Sequence, residues 1–460
     1  MDDLIEEVLL NFRLLSLFNF LEGGVILLLG TVLLFPGKLF PLSWHPYLIL
    51  SLLLFSSIGI PFAYLQRHVN HSKSVDEDQL GNICSKHHHA LFHSPLTSLI
   101  ILLLCMMAIG FWVSSEKARS LTIVGYSIFG IVLYSALLRW PSKIETIKKI
   151  TWLLLACGVG LISITPFILL WRADSRIFDT ALTIPLQQLQ LSVGETIHPN
   201  IMAGGIVVIL PVAISIVFFE KKRLSPFPFT FYLMVVMGMT IVLFLTQSRG
   251  ALLALSVVFV LSFTFYQPRF VLIILTGCVI LVVIYSYLAY PQFSYYMQTV
   301  FNALPGIEGR LEIWQTSLTA IADFPFTGIG IGIFTTVIPL LYPLSFPIES
   351  YPHAHNLFLQ IALDLGLPGL IAYLALLINL IAMLIVTLRK APRHTMIHTL
   401  AIGAAGSLVG MLTHGLLDAV TWGTKLSFLP WILFALITQL FLHVQEDELA
   451  SAKEGNSNLA

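Results

Sequence analysis

Runs of about 20 residues without a charged side chain recur from one end of this chain to the other, and this limits the fold more than any other feature. A helix that crosses a bilayer needs about 20 consecutive apolar residues, whereas an amphipathic helix of a soluble domain shows a polar face within every two turns. Soluble domains also carry about a quarter of their residues as Asp, Glu, Lys or Arg. Here the share is 10%, against 57% hydrophobic, with a mean hydropathy of +0.89. The pattern predicts an all-α, polytopic transmembrane helical bundle of about 12 spans. Positive and negative charges cancel, which removes the basic face that a nucleic-acid partner demands. Of the four cysteines, Cys84 sits in a polar loop and Cys105, Cys157 and Cys278 lie inside apolar runs, so no disulfide framework is expected.

The first residues, MDDLIEEVLLNFRLLSLFNF, are acidic where a secretory signal is basic, so the first apolar run reads as a retained span. Charge-free stretches place spans near 20–36, 46–65, 96–114, 119–138, 150–171, 200–219, 226–246, 250–266, 270–290, 366–388, 397–417 and 426–444. With both ends in the cytoplasm, about 16 of the 24 Lys and Arg fall on inward segments, Lys148, Lys149, Lys221, Lys222, Arg389 and Lys390 among them. Five regions follow: N-terminal spans over 1–170, central spans over 171–290, a large outward loop over 291–365, C-terminal spans over 366–445, and a charged tail over 446–460 that reads as a frayed cytoplasmic end. No period of 20–50 residues and no inverted repeat of the transporter kind is visible.

Basic residues on the outer face are scarce: Lys38, Lys117, Arg119, Arg172, Arg176, Arg249, Arg310 and Lys425. Arg249 stands in TQSRG, a short turn between two apolar spans. An unpaired charge there either snorkels to the interface or meets an anion, and Ser248 and Gly250 beside it suit anion binding at a helix start. Arg310 opens the segment GRLEIWQTSLTAIADFPFTGIGIGIF, in which Leu311, Trp314, Leu318 and Ile321 recur at helical spacing. Residues 309–322 therefore read as an amphipathic helix along the membrane surface. A salt bridge from Arg310 to Glu308 or Glu312 competes with ligand binding. The glycines at 328, 330 and 332 resemble a phosphate cradle, but no lysine follows and the strand–helix context is missing.

In ESYPHAHNLFLQIALDLGLPG, His353 and His355 precede a short surface helix that starts at His355 or Asn356 and breaks at 365–369, and in an extended segment His353 points away from His355. Histidine suits proton transfer near neutral pH; the alternatives are a metal site with Glu349 and simple capping. His414 and Asp418 lie one turn apart near an outer helix end, where an ionisable pair is a functional candidate. Pro199 of HPN suits a first helical turn. The inward loop holds His68-x-x-His71 and Cys84-x-x-His87, a spacing that resembles a zinc clasp without a second CxxC.

Taken in order, TQSRGALLAL, GRLEIWQTSLTAIADFPFTGIGIGIF and HAHNLFLQIALDLGLPGLIAYL resemble the O-antigen ligase and polymerase family of bacterial membrane proteins, over about 196–420. The resemblance implies a twelve-span bundle in the bacterial inner membrane with a large periplasmic loop, acting in lipopolysaccharide biosynthesis. The donor it implies is a glycan on undecaprenyl diphosphate, and the acceptor a lipid, glycan or protein hydroxyl. It puts Arg249 and Arg310 on the diphosphate and His355 in the role of catalytic base, with Asp418 among the substrate-binding residues; His353, two residues before His355, is counted with them from its position. No cofactor and no metal are expected, since fixed guanidinium groups can stabilise a diphosphate leaving group. The family does not separate ligase, polymerase and protein glycosylation. A reading from another class is a membrane transporter of a small anion such as bicarbonate, which would place polar groups near mid-span on broken helices.

Overall fold

The computed structural model describes residues 24–29, 46–54, 94, 96–170, 196–266, 307–345 and 352–457. Eleven helices form the main body: α1 Thr97–Val113, α2 Lys117–Leu138, α3 Ile144–Ile168, α4 Pro199–Phe219, α5 Pro226–Leu245, α6 Arg249–Tyr266, α7 Ile307–Asp323, α8 Phe334–Leu341, α9 Leu357–Lys390, α10 Met396–Gly415 and α11 Leu429–Ser457. The described residues are helical without strands, and one isolated bridge joins Leu169 to Ile197. Among the described residues, seven helices are long and apolar enough to cross a membrane, namely α2, α3, α4, α5, α9, α10 and Leu429–Glu448 of α11; α1 and α6 are shorter apolar helices. The expected span at 270–290 and most of those at 20–36 and 46–65 lie outside the described residues, as does the 66–93 part of the His-rich loop.

Local chemistry sets the helix starts. Pro199, lacking an N–H, takes the first position of α4, and His198 Nδ1 accepts from Asn200 N at 3.2 Å. Asn356 caps α9, its Oδ1 accepting from Phe358 N (3.0 Å) and Leu359 N (3.1 Å). Arg389 and Lys390 close α9, where cations complement the helix dipole. The break expected at 365–369 is a kink inside α9: Gly366 has φ 73° and ψ 179°, and Leu367 N bonds instead to Pro325 O at 2.7 Å. The charged tail differs from the frayed end expected of it, because α11 continues through it to Ser457.

Helix α4 sits at the centre, packed against α3, α5, α6 and α10. Gly403 and Gly410 of α10 face Ser215 and Val207 of α4 where a Cβ would collide, so small residues set the close approach that drives association in lipid. Helix α9 packs on α1 and α11, and α11 on α2 and α3. On α9, Leu376, Leu380 and Leu384 are buried while Ile371 and Ile378 are 62% and 65% exposed. A helix apolar on its buried and its open side alike is solvated by hydrocarbon.

A second, smaller core forms where Ile313 and Ala320 of α7, Ile329, Phe334 and Ile338, Ala354, and Ala362 and Leu363 of α9 meet. The amphipathic helix expected at 309–322 is therefore present as α7, and the face it packs on the protein is a second one. Ile313, Ser317 and Ala320 are buried, whereas Leu311 and Leu318 stay 48% and 58% exposed. The short helix after Asn356 was expected on the surface; its Ile361, Ala362 and Leu363 are buried, because this outer layer packs down on it.

Candidate functional site

Four chain segments converge at one end of the bundle: the start of α4, the first turn of α7, the residues leading into α9, and the turn after α10. His355 has φ +48°, a left-handed conformation that costs a residue with a Cβ about 1–3 kcal/mol. This bend brings the two imidazoles together, with ring centroids 4.3 Å apart. Bonds on either side hold the strained backbone. Ala354 N donates to Gln360 Oε1 at 2.9 Å, Trp314 Nε1 donates to Ala354 O at 3.0 Å, and Asn356 Nδ2 donates to Leu416 O at 3.1 Å. Gln360 is fixed in turn by donating to Asp364 Oδ1 (2.9 Å), a buried carboxylate that also accepts from Gly332 N (3.1 Å) and Trp422 Nε1 (2.8 Å).

Asp418 is the centre of the site and is 2% exposed. His353 Nε2 lies 3.3 Å from its Oδ1 and His355 Nδ1 lies 3.4 Å from its Oδ2. Asn200 Nδ2 donates to Oδ2 and Ala419 N to Oδ1. Burial pushes the Asp418 carboxyl up, but the hydrogen bond from His355 and the charges of His353, His355 and His414 outweigh it and hold it well below the usual carboxylate range. His353 behaves oppositely: burial drives it down to about 4, against the attraction of Asp418. Both nitrogens of His353 are engaged, since Nδ1 accepts from His355 N at 3.2 Å. His355 meets Asp418 through Nδ1, and its Nε2 is the nitrogen turned away from the carboxylate.

Arg310, in the first turn of α7, donates from Nη1 to Leu417 O at 3.0 Å and lies within electrostatic reach of His353 and His414. The competing salt bridge to Glu312 is not made: that carboxylate accepts from Ser345 N (2.6 Å) and from the Ser345 hydroxyl. Arg249 opens α6, is exposed, and makes no hydrogen bond or ion pair among the described residues. A Cβ on its neighbour Gly250 would lie 3.4 Å from His414 Cδ2 and 3.5 Å from Leu417 Cβ, so the SRG turn abuts the residues that carry Arg310 and Asp418.

Residues 233–374 match a family model described as O-antigen ligase. That stretch, about a third of the chain, is similar to the O-antigen ligase family. No curated protein matches the chain. The matched stretch runs from within α5 to within α9 and contains Arg249, Arg310, His353 and His355. Asn200, His414 and Asp418 lie outside it in sequence and reach it through the packing of α4 and α10.

The fold thus brings Arg310, His353, His355 and Asp418 together and sets Arg249 next to them. One expectation is corrected. An extended segment would point His353 away from His355, but the left-handed turn directs both rings to the same carboxylate. The glycines at 328, 330 and 332 all have positive φ, at 67°, 108° and 75°. Their segment is no phosphate cradle. Ile329 N donates to Leu363 O (2.7 Å), Ile331 N to Gly110 O (3.2 Å) and Gly332 N to Asp364, so its amides are spent on docking the coil against α1 and α9. Sequence reasoning missed the roles of Asn200, Trp314, Gln360 and Asp364. The i, i+4 polar pair Gln360 and Asp364 inside LFLQIALDLG was the available signal, since buried polar groups need partners.

The ligand atoms of His353, His355 and Asp418 lie within 4.8 Å of one another, a group that could hold a metal ion. Sequence spacing paired the histidines with Glu349, which lies outside the described residues; the third ligand that the fold supplies is Asp418. Two imidazoles and a carboxylate suit zinc. An ion there would occupy the base and its carboxylate together, so metal and general-base roles exclude each other.

Acid should weaken the fold through His353. The unfolded chain takes up a proton near pH 6.5 and the folded one near 4, so the unfolded state binds more protons between those values and stability falls as pH drops through that window. The thermal midpoint in detergent is expected to decline from pH 6.5 toward 4, and less steeply in His353→Gln. Identical profiles for the two proteins would remove His353 as the cause.

Proposed function

We propose that this multi-pass protein is a membrane glycosyltransferase that moves a glycan from undecaprenyl diphosphate to an acceptor hydroxyl, with inversion, at the periplasmic face. The observation that carries the reading is the Asp418–His355 pair set beside Arg310 and next to Arg249. Asp418 behind Nδ1 fixes the tautomer in which Nε2 carries the lone pair, and its charge stabilises the imidazolium that forms on proton uptake. The acceptor oxygen attacks the anomeric carbon as its proton passes to His355 Nε2. The bond from that carbon to the diphosphate oxygen breaks, and the electron pair leaves with the lipid diphosphate. Arg249 and Arg310 meet the growing negative charge with planar, permanently protonated donors. Attack opposite the leaving group inverts the anomeric centre. The transport reading fits less well, because these groups gather at helix ends and not at mid-span.

The testing experiment incubates purified protein with the lipid-linked glycan and candidate lipid, glycan and peptide acceptors, in parallel with and without a chelator. Loss of the donor, matched by free undecaprenyl diphosphate and a glycosylated acceptor, is the expected result. An unchanged donor with every acceptor sinks the enzyme reading. Turnover that stops on chelation and returns with zinc would instead favour the metal role of His353, His355 and Asp418.

The proposal includes twelve spans with both ends in the cytoplasm. In a cysteine-free background, Leu318→Cys and Phe326→Cys, at positions 58% and 75% exposed, should react with an impermeant thiol reagent from the periplasmic side. Lys222→Cys should be protected until the membrane is opened. The reverse pattern overturns the orientation.

A further inference from the structure

Asp364, in the first part of α9 before the kink at Gly366, takes no part in the mechanism above. It is 1% exposed, and the partners of its oxygens are three neutral donors. Oδ1 accepts from Gln360 Nε2 at 2.9 Å and from Gly332 N at 3.1 Å, and Oδ2 accepts from Trp422 Nε1 at 2.8 Å. Burying a carboxylate is costly unless its lone pairs are used, so each of these bonds is strongly enforced.

Each donor belongs to a different segment of the site. Gln360 accepts from Ala354 N, one residue before His355, and Trp314 Nε1 donates to the carbonyl of the same Ala354. Trp422 stands four residues after Asp418, in the turn whose Leu417 carbonyl accepts from Arg310. Gly332 lies in the coil that follows α7, the helix of Arg310 and Trp314. Its φ is 75° and a Cβ there would meet Ile123 Cδ1 at 2.2 Å, so a glycine is what lets this amide reach the carboxylate. The reacting pair itself is loosely joined. His353 Nε2 and His355 Nδ1 stand 3.3 and 3.4 Å from Asp418, beyond the roughly 2.7–3.2 Å of an ordinary N–H···O bond. Their spacing is therefore set less by that contact than by what holds the two backbones.

We propose that Asp364 is a positioning residue for the transfer reaction, a shared anchor that ties the His355 segment, the Asp418 turn and the coil behind α7 to one point and so sets the distance between His355 and Asp418. Its effect on transfer rests on the function proposed above; the coupling of one segment to another through the carboxylate does not. A carboxylate suits this place because it accepts on both oxygens and carries no N–H. An amide has a single acceptor oxygen, and would turn its own N–H toward Trp422 or toward Gln360 and Gly332. A displacement of about 1 Å can cost a reaction about 10²-fold, so a residue that never touches the substrate can govern the rate without governing donor affinity.

The test uses the full-length protein in detergent with isotope-labelled tryptophan, read by the NMR signals of its eight indole N–H groups, together with the transfer assay above. Trp314→Phe identifies the Trp314 signal, which reports on the Ala354 carbonyl. Trp422→Phe deletes the bond from the Asp418 turn, keeps an aromatic ring beside Tyr373, and changes neither Trp314 nor its acceptor. Trp422→Phe and Asp364→Asn should each shift the Trp314 signal, hasten its exchange with solvent, and lower kcat per folded molecule about 10–100-fold with donor KM unchanged. The double variant should be scarcely slower than the slower single one, because both act through one carboxylate. Asn379→Ala, farther along α9 where the side chain bonds to Ala375 O, should change neither readout. Should Asp364→Asn fail to fold, Trp422→Phe carries the test. A Trp314 signal that stays in place in the folded variants overturns the shared anchor, and a moved signal with wild-type kcat overturns its part in positioning. The two readings fail separately. A signal that moves in Trp422→Phe while the wild type transfers glycan to no acceptor removes the glycosyltransferase and leaves the anchor, whereas wild-type transfer with an unmoved signal removes the anchor alone.

Discussion

Replacing His355 by Ala is expected to lower turnover by about 10²–10⁴-fold, the usual contribution of a positioned general base, while donor binding stays close to that of the wild type. A base acts on the acceptor proton only as the transition state forms, so its loss belongs in kcat and not in ground-state affinity. The geometry separates the two histidines. His353 commits Nδ1 to the His355 amide and Nε2 to Asp418, so it positions; His355 meets Asp418 through Nδ1, with Nε2 on the side of the ring away from the carboxylate. His353→Ala should therefore cost less than His355→Ala, yet more than nothing, because it removes one of the groups holding Asp418. Donor binding and single-turnover rates in membranes with matched expression decide the matter. A His355→Ala protein with normal turnover would end the base assignment.

Asp418→Asn is the second large effect, expected to reduce turnover on the order of 10³–10⁴-fold with nearly unchanged shape, as when the carboxylate behind a catalytic histidine is neutralised. The amide can no longer stabilise an imidazolium, and it would present an N–H to His353 or His355 where a lone pair is needed. Because His355 and Asp418 act as one unit, the double variant should be scarcely slower than either single one. Additive losses would mean that Asp418 serves the fold or the donor separately from the base. The bond from Asn200 offers a milder probe: Asn200→Ala frees one Asp418 lone pair without removing its charge.

Periodicity and punctuation made much of the fold readable. Charge-free runs locate α1 to α6 and α9 to α11 to within a few residues in most cases, because in hydrocarbon every backbone group must be satisfied within its own helix. Pro199, Asn356 and Gly366 mark starts and a kink for reasons confined to their own backbone. The spacing of Leu311 to Ile321 gives α7 as a helix but not its packed face, which depends on the partner it meets.

The sequence by itself determined a helical membrane chain in which few charged residues interrupt long apolar runs, since charge and apolar length are properties of single stretches. Only the tertiary structure decided that Asp418, more than 60 positions after His355, stands between the two histidines, and that Asn200 completes its bonding. Those contacts join the start of α4 to the end of α10, and no local periodicity encodes which helix ends will meet. The direction of His353 likewise came from a left-handed residue stabilised by Gln360, Trp314 and Asp364 from elsewhere in the chain. Strain of that kind is set by the surroundings that pay for it, and so it is visible only once the helices are packed.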